Sequence, residues 1–239
     1  MKTSTSAENV NVRAGLFLKR PLRDYRVIVA CVRGSVSITE ILGEILDSVR
    51  SEGCIPILLL GPTSPSDLMS QDSKVGWITF AAGEEGSSFT TIAPQNLTDI
   101  NLFIEKSLRE ALGANSVVVG DFLDNVLSSS SSLETLYSFY SQLASRMKQH
   151  RRTGVFLIKE DLHDQKKVEM IRRFADVILE YRLREEEMGI IWEMRAFNFV
   201  DKIYTGWISR ARSYETGITL EDNMLEGNIL PVTEVTSQN

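Results

Sequence analysis

"RVIVACVRGSVSITEILGEIL", residues 26–46, decides how this chain is built. Its first half belongs to "YRVIVACV" (25–32), a short run of apolar and β-branched residues with no polar alternation. That pattern fits a strand buried on both faces. From Ser37 to about Glu52 the spacing turns helical, with Ile38, Ile41, Leu42, Ile45, Leu46 and Val49 on one face. Ser37 is placed to cap the helix, with Glu40 three residues later, and Gly53 is placed to stop it. "CIPILLLG" (54–61) reads as a second buried strand. Strand, helix, strand, with both strands apolar throughout, predicts a parallel βαβ unit.

Outward from this unit the alternation continues. "GPTSPSD" is a loop, and "KVGWITFAAGEEGSS" (74–88) holds a short strand and a glycine-rich turn. "NLTDINLFIEKSLREALG" (96–113) is an amphipathic helix starting near Asn96 or Thr98 and ending at Gly113. "NSVVVGDFLDNVL" (115–127) opens with a buried strand that runs into Asp121, and the five serines 128–132 read as a mobile connection. Residues 133–152 form a helix whose apolar stripe is Leu133, Leu136, Tyr137, Tyr140, Leu143 and Met147. A strand (153–160) and a short helix (164–175) follow. The grammar then changes: 176–198 reads as two strands joined by a charged turn ending at Gly189, and "KIYTGWISR" and "SYETGITLED" continue in β style. The expectation is one α/β domain over 21–225 with a mixed sheet, preceded by a flexible segment (1–20) and followed by a flexible tail (226–239).

Composition limits the function classes. With 43% hydrophobic and 24% charged residues in 239, the chain is an ordinary globular one, long enough to bury a core without staples. Its formal net charge of −6 argues against nucleic acid as a general partner. Cys31 and Cys54 each lie in or beside a buried strand and read as free thiols, with a bridge between them as the alternative. Two histidines, His150 and His163, and no Cys-x-x-Cys or His-Glu-x-x-His spacing give no metal site. No apolar run has the length of a signal peptide or a membrane span, so a cytoplasmic protein is expected.

Three segments together carry a family likeness: residues 27–46, "FTTIAPQNLTDINLFIEKSLREALGANSVVVGDFLDNVL" (89–127), and "FADVILEYRLREEEMGIIWEMRAFN" (174–198). In order and pattern, over roughly residues 20–220, the chain resembles the RecA superfamily of P-loop ATPases, especially its KaiC-like, archaeal-type branch. The first segment sits where that family has strand, phosphate loop and helix. The second is similar to its Walker B region, and the third to its late hairpin, with Glu193-Met194-Arg195-Ala196 at the family's Lys-Met-Arg-Gly ending. The resemblance implies a RecA-like three-layer fold with a mostly parallel central sheet and C-terminal antiparallel strands.

The departures decide the expected chemistry. A P-loop, G-x-x-x-x-G-K-[ST], wraps backbone N–H groups around phosphate, reaches it with a lysine and holds magnesium with a hydroxyl. The corresponding "ACVRGSVSIT" (30–39) has one glycine, Gly34, and no lysine. Ser35, Ser37 or Thr39 could supply the hydroxyl, while Val36 and Ile38 are bulky where the loop needs small residues. Losing the lysine removes a charge-assisted contact of roughly 1.5–3 kcal/mol and the cation that phosphoryl transfer leans on. Asp121 stands where the resemblance places a Walker B magnesium ligand; the plainer reading is an aspartate that turns the chain after a strand. Glu84 and Glu85 read as an exposed acidic turn rather than a general base.

The expected function is therefore a non-catalytic RecA/KaiC-like module, regulatory or scaffolding, that binds a protein partner or itself and needs no cofactor. The alternative is a nucleotide-binding protein taking ATP or ADP with magnesium through Gly34, Ser35, Thr39 and Asp121, with little or no hydrolysis; a helix N-terminus can hold phosphate by backbone N–H groups alone. A weaker third reading is a small-molecule enzyme at the strand C-terminal ends. Basic clusters at 150–152 and 171–173, with Lys166, Lys167, Arg182 and Arg184, read mainly as helix-end and solvated charge. Trp192, Phe197, Tyr204 and Trp207 divide evenly between core and interface.

Overall fold

A computed structural model of the chain describes residues 22–63, 76–79, 89–91, 96–110, 115–129, 132–186, 189–200, 202–204, 208–213 and 230–231. The strands are β1 (Val27–Val32), β2 (Ile55–Leu60), β3 (Gly76–Thr79), β4 (Phe89–Thr91), β5 (Ser116–Gly120), β6 (Thr153–Lys159), β7 (Val177–Glu186), β8 (Gly189–Asn198), β9 (Ile203–Tyr204), β10 (Ile208–Ser213) and β11 (Leu230–Pro231). The helices are α1 (Ile38–Ser51), α2 (Leu97–Glu110), α3 (Leu123–Ser129), α4 (Leu133–Gln149) and α5 (Gln165–Arg172).

All strands lie in one sheet in the order β11-β9-β8-β7-β1-β6-β5-β2-β3-β4, with β10 also paired to β8. From β4 to β7 every pairing is parallel. From β7 onward the pairings are antiparallel, as the change of grammar after residue 176 predicts. The α/β class and the mostly parallel sheet thus stand as read from the sequence. The βαβ expectation holds for direction and not for adjacency: β6 and β5 insert between β1 and β2.

β1 is buried at all six positions because helices cover both faces of the sheet. Its odd residues Val27, Val29 and Cys31 join one core with residues of α2, α3, α4 and α5. Its even residues Ile28, Ala30 and Val32 join the other with Ile41, Leu42, Ile45, Leu46 and Val49 of α1. Local signals hold the helices in place. The Glu40 N–H donates to Ser37 Oγ at 3.3 Å. Gly53, at φ +69°, takes the left-handed turn that ends α1. Tight packing fixes β5 against β2: a Cβ on Gly120 would sit 1.8 Å from the Leu59 carbonyl oxygen.

Several local expectations change. Residues 123–129 form α3, a helix not expected from the sequence, and the serine run is divided. Ser128 and Ser129 end α3, whereas Ser132 caps α4 by accepting from the Thr135 N–H. The α4 stripe shifts: Leu136, Phe139, Tyr140, Leu143, Ala144 and Met147 are buried, while Leu133 and Tyr137 are exposed. Cys31 and Cys54 are free and buried. Leu230–Pro231, inside the expected tail, pair with β9. The segment 1–20, the turn with Glu84 and Glu85, Gly113 and Trp207 lie outside the described residues, as do the side chains of Trp192 and Tyr204. Among the described residues no helix is long and apolar enough to cross a membrane.

Candidate functional site

Parallel strands send their C-terminal ends to one edge, where open α/β sheets bind ligands. At that edge meet the loop after β1 (33–37), the start of the loop after β2 (61–63), the β5–α3 turn (121–124) and the turn after β6 (160–164).

The loop after β1 turns at Gly34, whose φ of +66° suits glycine. Gly34 and Ser35 are exposed and Thr39 is half-buried in the first turn of α1. Val36 is 3% exposed and pins the loop to the α1-side core. The Arg33 side chain, both backbone groups of Gly34 and the Val36 carbonyl are bound by residues at the end of β6 and the turn after it. The Gly34 N–H donates to Asp161 Oδ2 at 3.1 Å. The Lys159 ammonium donates to the Gly34 carbonyl and, at 3.0 Å, to the Val36 carbonyl. Arg33 Nε donates to the buried Glu160 carboxylate at 2.6 Å, and that contact holds Arg33 protonated beyond its ordinary range. A carboxylate of the same chain thus occupies the Gly34 amide.

Asp121 is fully buried, and its carboxylate faces inward. The Gly61 N–H donates to Oδ1 at 2.7 Å and the Thr63 N–H to Oδ2 at 2.9 Å. Burial raises its pKa, opposed by these hydrogen bonds and by a further one from the Thr63 side chain. The sheet brings Gly34 and Asp121 to one edge, but β6 lies between their strands, about 10 Å of separation. Asp121 ties the loop after β2 to the end of β5, the chain-turning role that its position past a strand suggests.

Sequence reasoning missed the contributions of the turn after β6. Lys159 ends β6 and Glu160 and Asp161 follow it at once, and this run of charge closing an apolar strand was the available signal. His163, one of the two histidines set aside as metal ligands, has its Nε2 at 2.8 Å from Asp124 Oδ1, both side chains buried. Asp124 Oδ1 also accepts from the Lys159 N–H at 2.9 Å, so this pair fastens the turn to α3. Glu160 continues into a buried ion network: Arg172 spans Glu160 and Glu180, and Arg195 binds Glu180. Cys31 lies beside this network, and burial first, then Glu160, pushes its thiol pKa far up, leaving it an unreactive core group. Among the described residues no group of three or more His, Cys, Asp or Glu side chains could hold a metal ion. No protein-family model matches the chain, and no curated protein matches it.

Proposed function

We propose that this chain is a RecA/KaiC-like domain without phosphoryl-transfer chemistry, acting as a regulatory or scaffolding protein-interaction module. One observation carries the reading: the loop after β1 spends its polar groups on its own chain. Mg-nucleotide would have to displace Asp161 from Gly34 and Lys159 from two carbonyls. It would also lack Asp121, whose two oxygens are committed to backbone amides in a buried site. Gly34 and Asp161 are exposed, so water can replace those contacts; at the buried Asp121 site an amide left without its acceptor costs about 1–3 kcal/mol. Strand directions support the RecA-like part of the reading to this extent: β1 and β5, the strands of the first two segments that carry the resemblance, end at one edge of one sheet.

The nucleotide-binding reading is favoured by a single feature, the Lys159 ammonium beside Gly34, a cation brought to the loop from another strand. Calorimetric titration with Mg-ATP and Mg-ADP separates the two. The interaction-module reading expects no binding tighter than about 100 μM, equivalent to about −5.5 kcal/mol. Tighter binding that Lys159→Met abolishes would establish the nucleotide reading instead.

A further inference from the structure

The structure sorts the basic residues that stand out between 166 and 184. Lys167 donates to the Leu127 carbonyl at 2.8 Å, Arg172 is held by Glu160 and Glu180, and Arg182 by Glu193. Lys166 and Arg173 are exposed and have no ion pair or side-chain hydrogen bond among the described residues. Both line one trough between α4 and α5, a cavity of about 620 Å³, together with Leu133, Tyr137, Met170 and Glu134.

The trough has a definite chemical layout. Its floor holds Tyr137 and Leu133, which are 56% and 42% exposed, with Met170 beside them. Tyr137 is steadied by the Phe174 ring at 5.3 Å between centroids, so an aromatic is presented in a fixed pose. The α5 lip carries Lys166 and Arg173, seven residues apart, which is about 10.5 Å along a helix. On the α4 lip stands Glu134, exposed and likewise without an ion pair among the described residues. Among the described residues the α5 lip thus carries two cations without ion pairs, with Glu169 between them held by Arg172 at 3.6 Å, and the α4 lip carries one carboxylate without an ion pair.

We propose that this trough docks an amphipathic helix from a partner protein, with the partner's acidic flank along α5. Apolar residues at i, i+4 and i+7 would cover Tyr137, Leu133 and Met170, the helix-in-groove mode. Carboxylates two turns apart on the partner match the Lys166–Arg173 spacing, and a basic residue on its other flank meets Glu134. The opposed lips fix the helix's orientation as well as its charge. Glu134 on the α4 lip, which a basic residue of the partner would meet, disfavours a phosphate backbone. This assignment deepens the interaction-module reading and rests on it.

The test uses the full chain, isotopically labelled for amide NMR, and two helical peptides of about 15 residues. Both share one leucine stripe. One carries glutamates seven apart on one flank and lysine on the other; its counterpart has these charges exchanged. The first peptide is expected to bind about 10-fold tighter, or about 1.4 kcal/mol, with shifts confined to 133–137 and 166–174. Lys166→Glu with Arg173→Glu is expected to reverse the preference without changing the melting temperature, because both side chains are exposed. Equal affinities, absence of shifts on α4 and α5, displacement of the peptide by single-stranded RNA, or light scattering that shows a dimer blocked by Tyr137→Glu would each overturn the proposal. Mg-ADP added to the same sample keeps the two readings apart: shifts around Gly34 would sink the non-catalytic reading and leave the trough untouched.

Discussion

Asp121→Asn separates a structural clamp from a magnesium ligand. The wild-type carboxylate accepts one backbone N–H on each oxygen, from Gly61 and Thr63. Asparagine keeps one acceptor and turns its NH2 toward the other amide. A buried donor left without an acceptor costs about 1–3 kcal/mol, and the surviving bond loses its charge assistance, about 1 kcal/mol more. Relief from burying an ionised carboxylate offsets part of this loss, since burial already raises the Asp121 pKa. A net destabilisation of about 2 kcal/mol is expected, or about 4–8 °C in a domain of this size. Thermal unfolding followed by circular dichroism measures it, and urea unfolding at unchanged slope confirms it. The pH dependence has a sign. The raised folded pKa means that Asp121's contribution is complete below its ordinary 3.8 and is lost as pH rises through the folded value. The gap between wild type and variant is therefore widest in acid and narrower at neutral pH. A variant melting within about 1 °C of wild type, or a wild type whose magnesium-dependent stabilisation vanishes in the variant, would refute the clamp.

Three further outcomes follow from the packing. Gly120→Ala forces a Cβ to within 1.8 Å of the Leu59 carbonyl oxygen, so β2 and β5 must separate; a loss above about 3 kcal/mol is expected by chemical denaturation, and a loss under about 1 kcal/mol would show that the sheet yields there. Glu180→Leu leaves Arg172 and Arg195 without their shared carboxylate, and about 3–5 kcal/mol is expected for breaking a buried pair; a neutral result would mean that solvent reaches both guanidiniums. Glu105 joins α2 to α4 through Arg146 and His150, and Arg109, first among its contacts, lowers its pKa. Its contribution is present above its ordinary 4.5 and is lost as pH falls through the depressed value, so Glu105→Gln should flatten the acid limb of the stability curve. An acid limb identical to wild type would show that the Glu105 pairs are solvent-screened.

What the sequence determined is what repeats locally. The apolar runs at 27–32 and 55–60 read as buried strands from their length and β-branched content, and the Ser37 cap and Gly53 stop framed α1 because capping needs only neighbours in the chain. The absence of a lysine in 30–39 was equally legible. Tertiary structure decided everything that depends on which strand lies beside which. Inserting β6 next to β1 put Lys159, Glu160 and Asp161 against the loop at Gly34, more than 120 residues away along the chain. It also made His163 a partner of Asp124. Leu133 and Tyr137 stand exposed on α4, although their spacing matches that of buried residues. Periodicity records which side of an element is apolar; whether anything lies on that side is set by long-range pairing, which a local pattern does not encode.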